Sequence, residues 1–504
     1  MRPLKALVLA AAMMLCAVPA HAEKVLRVAV TSLPADMGTP YGSITLPTLL
    51  PALAIYDPLF RFDDQGGVQP GLVERWEMTA PTRWRFHLRP NVTFSNGEPL
   101  NAAAAVEALD YLISKAGLLE VTAQLVVGLT GVRAMDDLTI EIDTAAPNVL
   151  LPRRLAGIRL PAPKLWAKLG RKDFSRAPVG TGPFAVTRWE AAKVVLAANR
   201  ASWRTPRVDR LEILEVPDLS ARVQALRTGA VDIAIDISSD DRSLIESTGA
   251  RLVVRKTGRV QTIAFVSTKP SPVADIRVRQ ALNYAVDKQR MIDVLLGGTT
   301  APASQGAVKE AFGYDPDLKP YPYDPTRARA MLAEAGYAQG FDILLSFPPG
   351  SFAADSSYHQ QIVSDLRAVG VRADTETTTV PQHIQRIRTG GWPGQGFSMD
   401  YNNMPTLDAL WSIRVHSCLW PAPWHCRPEW TPTIQAAEAA PTDDERLTLT
   451  RRLLKLYRDE PTGIFLWEIP GLDGVAARVA LYNPGLGDVG LDAVDVLNSK
   501  TYRE

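Results

Sequence analysis

Between Ile276 and Gly298 the chain reads IRVRQALNYAVDKQRMIDVLLGG, a stretch that leaves its backbone little choice. Val278, Leu282, Ala285, Ile292 and Leu295 recur at helical spacing, with Arg279, Asn283, Lys288, Arg290 and Asp293 at the polar positions around them. The pattern predicts a helix with one buried stripe, stopped by Gly297-Gly298. Other stretches carry the period of a strand. Thr82 to Arg89 alternates Trp84, Phe86 and Leu88 against Arg83, Arg85, His87 and Arg89, which predicts one buried and one solvated face. Glu23 to Thr31, with Val25, Leu26, Val28 and Val30, reads as a short strand inside an α/β sheet. Asn101, Asp218 and Asp324 stand where helix N-caps belong, and Thr442 with Glu445 reads as a capping box. Gly180-Thr181-Gly182-Pro183-Phe184 lacks the Lys-Ser or Lys-Thr of a phosphate loop and precedes strands, so it reads as a tight turn. Helices and strands mix throughout, which gives an α/β or α+β class.

The first 22 residues carry Arg2 and Lys5, an apolar run from Ala6 to Val18, and then Ala20-His21-Ala22. That order predicts a secretory signal cleaved after Ala22. The run is short of the roughly 20 apolar residues a membrane span needs. Leu15 ahead of Cys16 argues against a lipid anchor, so the mature chain is expected free in the periplasm. Cys418 and Cys426 remain after cleavage, and an oxidising compartment favours a disulfide between them. The rival reading is a metal site with His416 and His425, although their spacing fits no common zinc pattern. A formal charge of +1 over 504 residues argues against nucleic acid or an anionic membrane as the main partner.

Several blocks, in order, resemble the family 5 solute-binding proteins of ABC transporters. "VRQALNYAVDK" from Val278 resembles that family's helix, and "PGLVERW" from Pro70 resembles its early segment. "WRFHLRPNVTFSNGEPLNA" from Trp84 also resembles the family, with Asn96 where Asp is usual, and Ala104 just beyond likewise replaces a usual Asp. "VGTGPF", "ALRTGAVDIA" and "YDPTRARAMLAEAGY" continue the likeness. The resemblance implies a bilobed periplasmic-binding-protein fold, two α/β lobes joined by a hinge with an extra inserted domain. It places domain I in residues 23–46, 178–268 and 472–504, inserted domain II in 47–177, and domain III in 269–471. Solute would sit between domains I and III, and hinge closure would present the loaded form to permease subunits in the inner membrane. A monomer without cofactor is expected.

The dipeptide-binding members hold the ligand's amino group with a carboxylate and its carboxylate with an arginine. The first position falls here on Met404, with Asp400 or Asp408 as substitutes; the second falls near Ser351, where no arginine occurs. Trp392, Phe397, Tyr401 and Trp411 are candidates for stacking on a ligand, though aromatics mostly pack cores. Asn402 and Asn403 could bond a neutral polar solute or form a plain turn. Tyr41 and Gly42 lie where family members line the domain I side of the cleft. The expected cargo is a short peptide or other polar organic solute; the alternative is a nickel or other metal chelate, with His416 as a ligand. A secreted hydrolase is remote, since neither Gly-x-Ser-x-Gly nor His-Glu-x-x-His occurs.

Overall fold

A computed structural model describes residues 23–44, 46–349, 354–486 and 489–497; the expected export signal and Ser351 lie outside them. One ten-stranded sheet organises the chain. In chain order its strands are β1 (Val25–Val30), β2 (Phe184–Trp189), β3 (Lys193–Ala198), β4 (Arg210–Glu215), β5 (Ile233–Ala234), β6 (Arg251–Phe265), β7 (Phe341–Phe347), β8 (Val371–Thr377), β9 (Gly396–Asn402) and β10 (Gly463–Val475). Their order across the sheet is β8-β7-β9-β6-β10-β5-β1-β4-β3-β2. β1 lies between parallel β4 and β5, and its apolar run is buried on both faces, as a central strand requires.

The two longest strands join the halves of the sheet. β6 pairs with β10 from Arg251 to Lys256 on one side and from Val260 to Ala264 on the other, and the register shifts between. Gly258 sits in that interruption with a φ of +72°, a conformation glycine adopts without strain. Separate apolar cores lie on either side of it, one around Leu26, Val28 and Ile213, the other around Val278, Leu282 and Ile343. A third core belongs to the inserted segment, where a sheet ordered Val73–Ala80, Arg83–Leu88, Thr139–Thr144, Leu129–Ala134 packs on helix Ala102–Ile113. Trp84, Phe86 and Leu88 turn inward there, in the alternation their sequence predicts. Among the described residues no helix is long and apolar enough to cross a membrane.

The Ile276–Gly298 segment departs from its expectation. It forms two helices, Ile276–Ala285 and Lys288–Leu295, because Val286 is extended and Asp287 caps the second by accepting from the Arg290 N–H at 3.1 Å. Three of the expected polar-face residues are buried: Arg279, Asn283 and Lys288. Arg279 donates to the Pro461 carbonyl at 2.8 Å, Asn283 to the Gly463 carbonyl at 2.9 Å, and Lys288 to the Asn283 carbonyl at 2.7 Å. These bonds satisfy backbone groups that the core would otherwise strand. Burial pushes the Lys288 ammonium down to about 7.

The Gly180-Thr181-Gly182 turn is tight because it lies on the end of helix Leu50–Ile55. A Cβ would meet the Ile55 carbonyl oxygen at 2.2 Å from Gly180 and at 2.6 Å from Gly182, whose own N–H donates to that oxygen. Gly182→Ala is therefore expected to destabilise the fold by about 1–3 kcal/mol, since neighbouring backbone must shift. Urea unfolding measures this, and an unchanged midpoint would refute the close-packing account.

Candidate functional site

A cavity of about 550 Å³ opens where β6 and β10 cross from one half of the sheet to the other. That volume suits a small organic ligand. Its apolar wall comes from Ile44, Leu46, Pro47 and Leu49 on one side, and Met404 with Asn402 at the end of β9 face them. Met404 packs against Gly258, where a Cβ would come within 2.7 Å of it. The polar lining is dominated by cations: Arg222, Arg255, Lys256 and Arg259 against the single carboxylate of Asp236.

Each cation is held in place. Arg255 is buried and bonds Asp473 at 3.0 Å and Asp236 at 2.7 Å. Gly471 leaves it room, since a Cβ there would lie 2.7 Å from the guanidinium. Arg259 bonds both oxygens of Asp400, at 2.8 and 3.0 Å. Lys256 pairs with Glu310 at 2.6 Å. Arg222 differs, because its terminal nitrogens donate to the carbonyls of Val216, Pro217 and Asp236 rather than to a carboxylate. Burial raises the Asp236 carboxyl above its ordinary range despite Arg255 beside it. Pairing with fixed acceptors holds the guanidinium planes, so the wall presents cations of set position.

The residues expected from sequence divide sharply. Asn402 lines the cavity, as does Met404, which stands where the peptide anchor is missing, and Asp400 stands behind the cavity as the partner of Arg259. Asp408 does not substitute for a peptide anchor: it caps helix Ala409–Val415 and is paired with Arg446 at 2.5 Å, both side chains buried. Asn403 is wholly buried and bonds Val308, Gly306 and Ser412. Trp392 and Phe397 stack on each other at 3.6 Å within an aromatic core, and Tyr401 stacks on His416 at 3.7 Å. None of these rings reaches the cavity, because alternate β9 side chains enter the core beneath the sheet. Trp411 packs against the core of the inserted segment, as does Tyr41, which lines a separate cavity. Gly42 rests against the Asp36 carboxylate, two residues short of the wall that begins at Ile44.

Cys418 and Cys426 form a disulfide, with an S–S distance of 2.13 Å. His416 is 1 % exposed and its Nε2–H donates to the Asp400 carbonyl at 3.2 Å, so it cannot reach a ligand in the cavity. Burial holds the His416 imidazole down to about 4. Among the described residues no group of three His, Cys, Asp or Glu side chains could hold a metal ion.

The cationic wall was missed. Its signal is Arg255-Lys256-Thr257-Gly258-Arg259, three cations around a glycine inside a strand, the composition of an interrupted ladder with something close to its backbone.

Comparison with known proteins places this geometry. Residues 67–414 match the profile of bacterial extracellular solute-binding proteins, family 5 Middle. The chain is 28% identical over 430 residues to the glutathione-binding protein GsiB of Salmonella typhimurium, covering 83% of this chain and 81% of that protein. The substrate-binding protein CtaP of Listeria monocytogenes superposes with a TM-score of 0.84 at 17% identity, over 94% of this chain and all of that one. NikA of Brucella suis in complex with Fe(III)-EDTA gives 0.79 at 20% identity, over 94% and 99%.

Proposed function

Because the chain belongs to the bacterial extracellular solute-binding proteins of family 5, receptors and not enzymes, we propose that its cavity captures a short peptide bearing carboxylates. The receptor would work in the periplasm and deliver that peptide to the permease subunits of an ABC importer. One observation carries the choice of cargo: four cations and one carboxylate line the site, while the carboxylates of Asp473, Asp400 and Glu310 pair with three of the cations from behind. A carboxylate entering it exchanges water for charge-assisted bonds to donors already fixed in place, which lowers the cost of ordering on binding. The glutathione-binding relatives support this reading, since glutathione is an anionic peptide. The register shift at Gly258 supports a hinge at residues 256–260 on β6 and 468–470 on β10, which moves both expected domain edges, at 268 and 471, toward the N-terminus.

A carboxylate-bearing metal chelate is the second reading, because guanidinium groups bond chelator carboxylates as they bond a peptide's. It would be held through the chelator rather than by His416.

Thermal-shift assays on the mature protein with glutathione, neutral dipeptides, a neutral oligosaccharide and nickel-histidine separate these cargoes. A ligand at about 100 times its Kd adds about 2.7 kcal/mol of stability. Glutathione or another anionic peptide is expected to give the largest shift, and Arg259→Gln to weaken it about tenfold or more. A shift only with the oligosaccharide would overturn the cationic-wall argument.

A further inference from the structure

The inserted segment is anchored to the half of the sheet that holds β1, yet it also touches the other half. Asp57, near its start and 0% exposed, accepts from the Thr181 hydroxyl at 2.9 Å, the Trp203 indole N–H at 2.7 Å and the Arg204 guanidinium at 2.6 Å. Arg89, at the end of the segment's own strand Arg83–Leu88, lies over the Trp203 ring at 4.2 Å. Buried charge-assisted bonds are costly to break, so the inserted segment moves with β1.

Its reach to the other half centres on Arg153, in the short helix Leu151–Leu155. That guanidinium donates to the Leu407 carbonyl at 3.2 Å and lies between two rings, 5.6 Å from Phe62 of its own segment and 5.5 Å from Phe312 of the other half. Phe312 is itself held in place. Its N–H donates to the same Leu407 carbonyl at 2.7 Å, and its carbonyl accepts from the Ala409 N–H at 3.0 Å. Beside this contact Gly66 lies against the Glu310 backbone, where a Cβ would meet the carbonyl oxygen at 2.0 Å. Phe62 packs on the core around Val260, Leu407 and Phe465, which belongs to the other half. Neither Arg153 nor its two rings line the 550 Å³ cavity.

We propose that Arg153 is a latch: it stabilises the closed receptor without touching cargo, and so sets cargo affinity from a distance. The inference rests on the hinge proposed above. Rotation about residues 256–260 and 468–470 carries Leu407 and Phe312 away from Arg153, so the carbonyl bond and one of the two ring contacts exist only when the halves are together. A contact made in one conformation alone raises the population of that conformation, and cargo that binds the closed form gains apparent affinity in proportion.

Small-angle X-ray scattering on the cargo-free mature protein tests this, with Arg153→Met and Phe312→Leu beside the unsubstituted chain. Methionine keeps the apolar stem and removes the charge, whereas leucine removes the distant ring and leaves Arg153 in place. Both variants are expected to show a larger radius of gyration than the unsubstituted protein, and saturating glutathione should bring all three to one compact profile. Arg153→Met should bind glutathione about tenfold more weakly, and Arg153→Lys should recover part of that loss, since an ammonium also sits favourably over a ring. Coincident cargo-free profiles for the unsubstituted protein and Arg153→Met would overturn the latch. Failure of glutathione to compact any of the three would count against the hinge or the cargo instead, and the cargo-free comparison would still decide the latch.

Discussion

Arg255→Met is expected to lower the unfolding free energy by about 3–5 kcal/mol, because it breaks a buried ion pair from one side only. Methionine replaces the stem of the arginine but leaves Asp473, which is 0% exposed, facing Asp236 with no cation between them. The Tyr482 hydroxyl and the Asp236 N–H still donate to Asp473, at 2.8 and 3.3 Å, but neutral donors do not neutralise two carboxylates. Cargo capture should fall with it, since the same guanidinium lines the 550 Å³ cavity. Adding Asp473→Leu separates the two effects. It removes the stranded charge and should recover much of the stability without restoring capture, as paired replacement of buried ions by apolar residues commonly does. Urea titration of the three proteins measures this. A loss below about 1 kcal/mol in Arg255→Met would mean that water reaches the pair and screens it.

Mild acid is the second strong perturbation. His359, His416 and His425 are all at most 5% exposed, and burial pushes their imidazoles down to about 4, 4 and 3. The unfolded chain protonates them near pH 6.5. Their folded values are depressed, so their contribution is complete above about pH 6.5 and is lost as pH falls toward about 4, the window in which only the unfolded chain takes up the protons. Each can contribute a slope of up to about 1.4 kcal/mol per pH unit. Burial raises the carboxyls of Asp236 and Glu468, which act oppositely: their stabilisation is complete below the unfolded carboxylate range and is lost as pH rises through their raised folded values, so they offset part of the histidine contribution. Urea midpoints should therefore fall steadily from pH 6.5 to 4.5, and His416→Gln should flatten the decline. A flat profile in the unsubstituted protein would contradict the buried, neutral state of these rings.

Local features were readable in the sequence because their causes lie within a turn or two. Asn101, Asp218, Asp324 and Thr442 each accept the helix N–H their positions predict, although Thr442 and Glu445 make only the first half of a capping box. Alternation along Arg83–Leu88 was equally plain. The break at Val286 was hidden because Asp287 also suits the polar side of an uninterrupted helix. Burial of Arg279 and Asn283 was unreadable for a different reason: their acceptors, Pro461 and Gly463, lie about 180 residues away in the chain. The site shows the same division. Asn402 and the position of Met404 were found because the stretch before Pro405 resembles the family's ligand-anchoring segment, whereas Arg222 and Arg255 acquire meaning only when distant strands meet. Aromatic residues misled, since the pleat of β9 sends Phe397 and Tyr401 into the core.

In the proposed function, fixed guanidinium groups at the crossing of β6 and β10 select cargo by its carboxylates. Calorimetric titration of the mature protein with the peptide giving the largest thermal shift, and then with the same peptide carrying carboxamides in place of its carboxylates, tests it most directly. The predicted result is saturable binding of the acid and at least about tenfold weaker binding of the amide, with that difference largely abolished in Arg259→Gln. Equal affinity for acid and amide in the unsubstituted protein would contradict the claim.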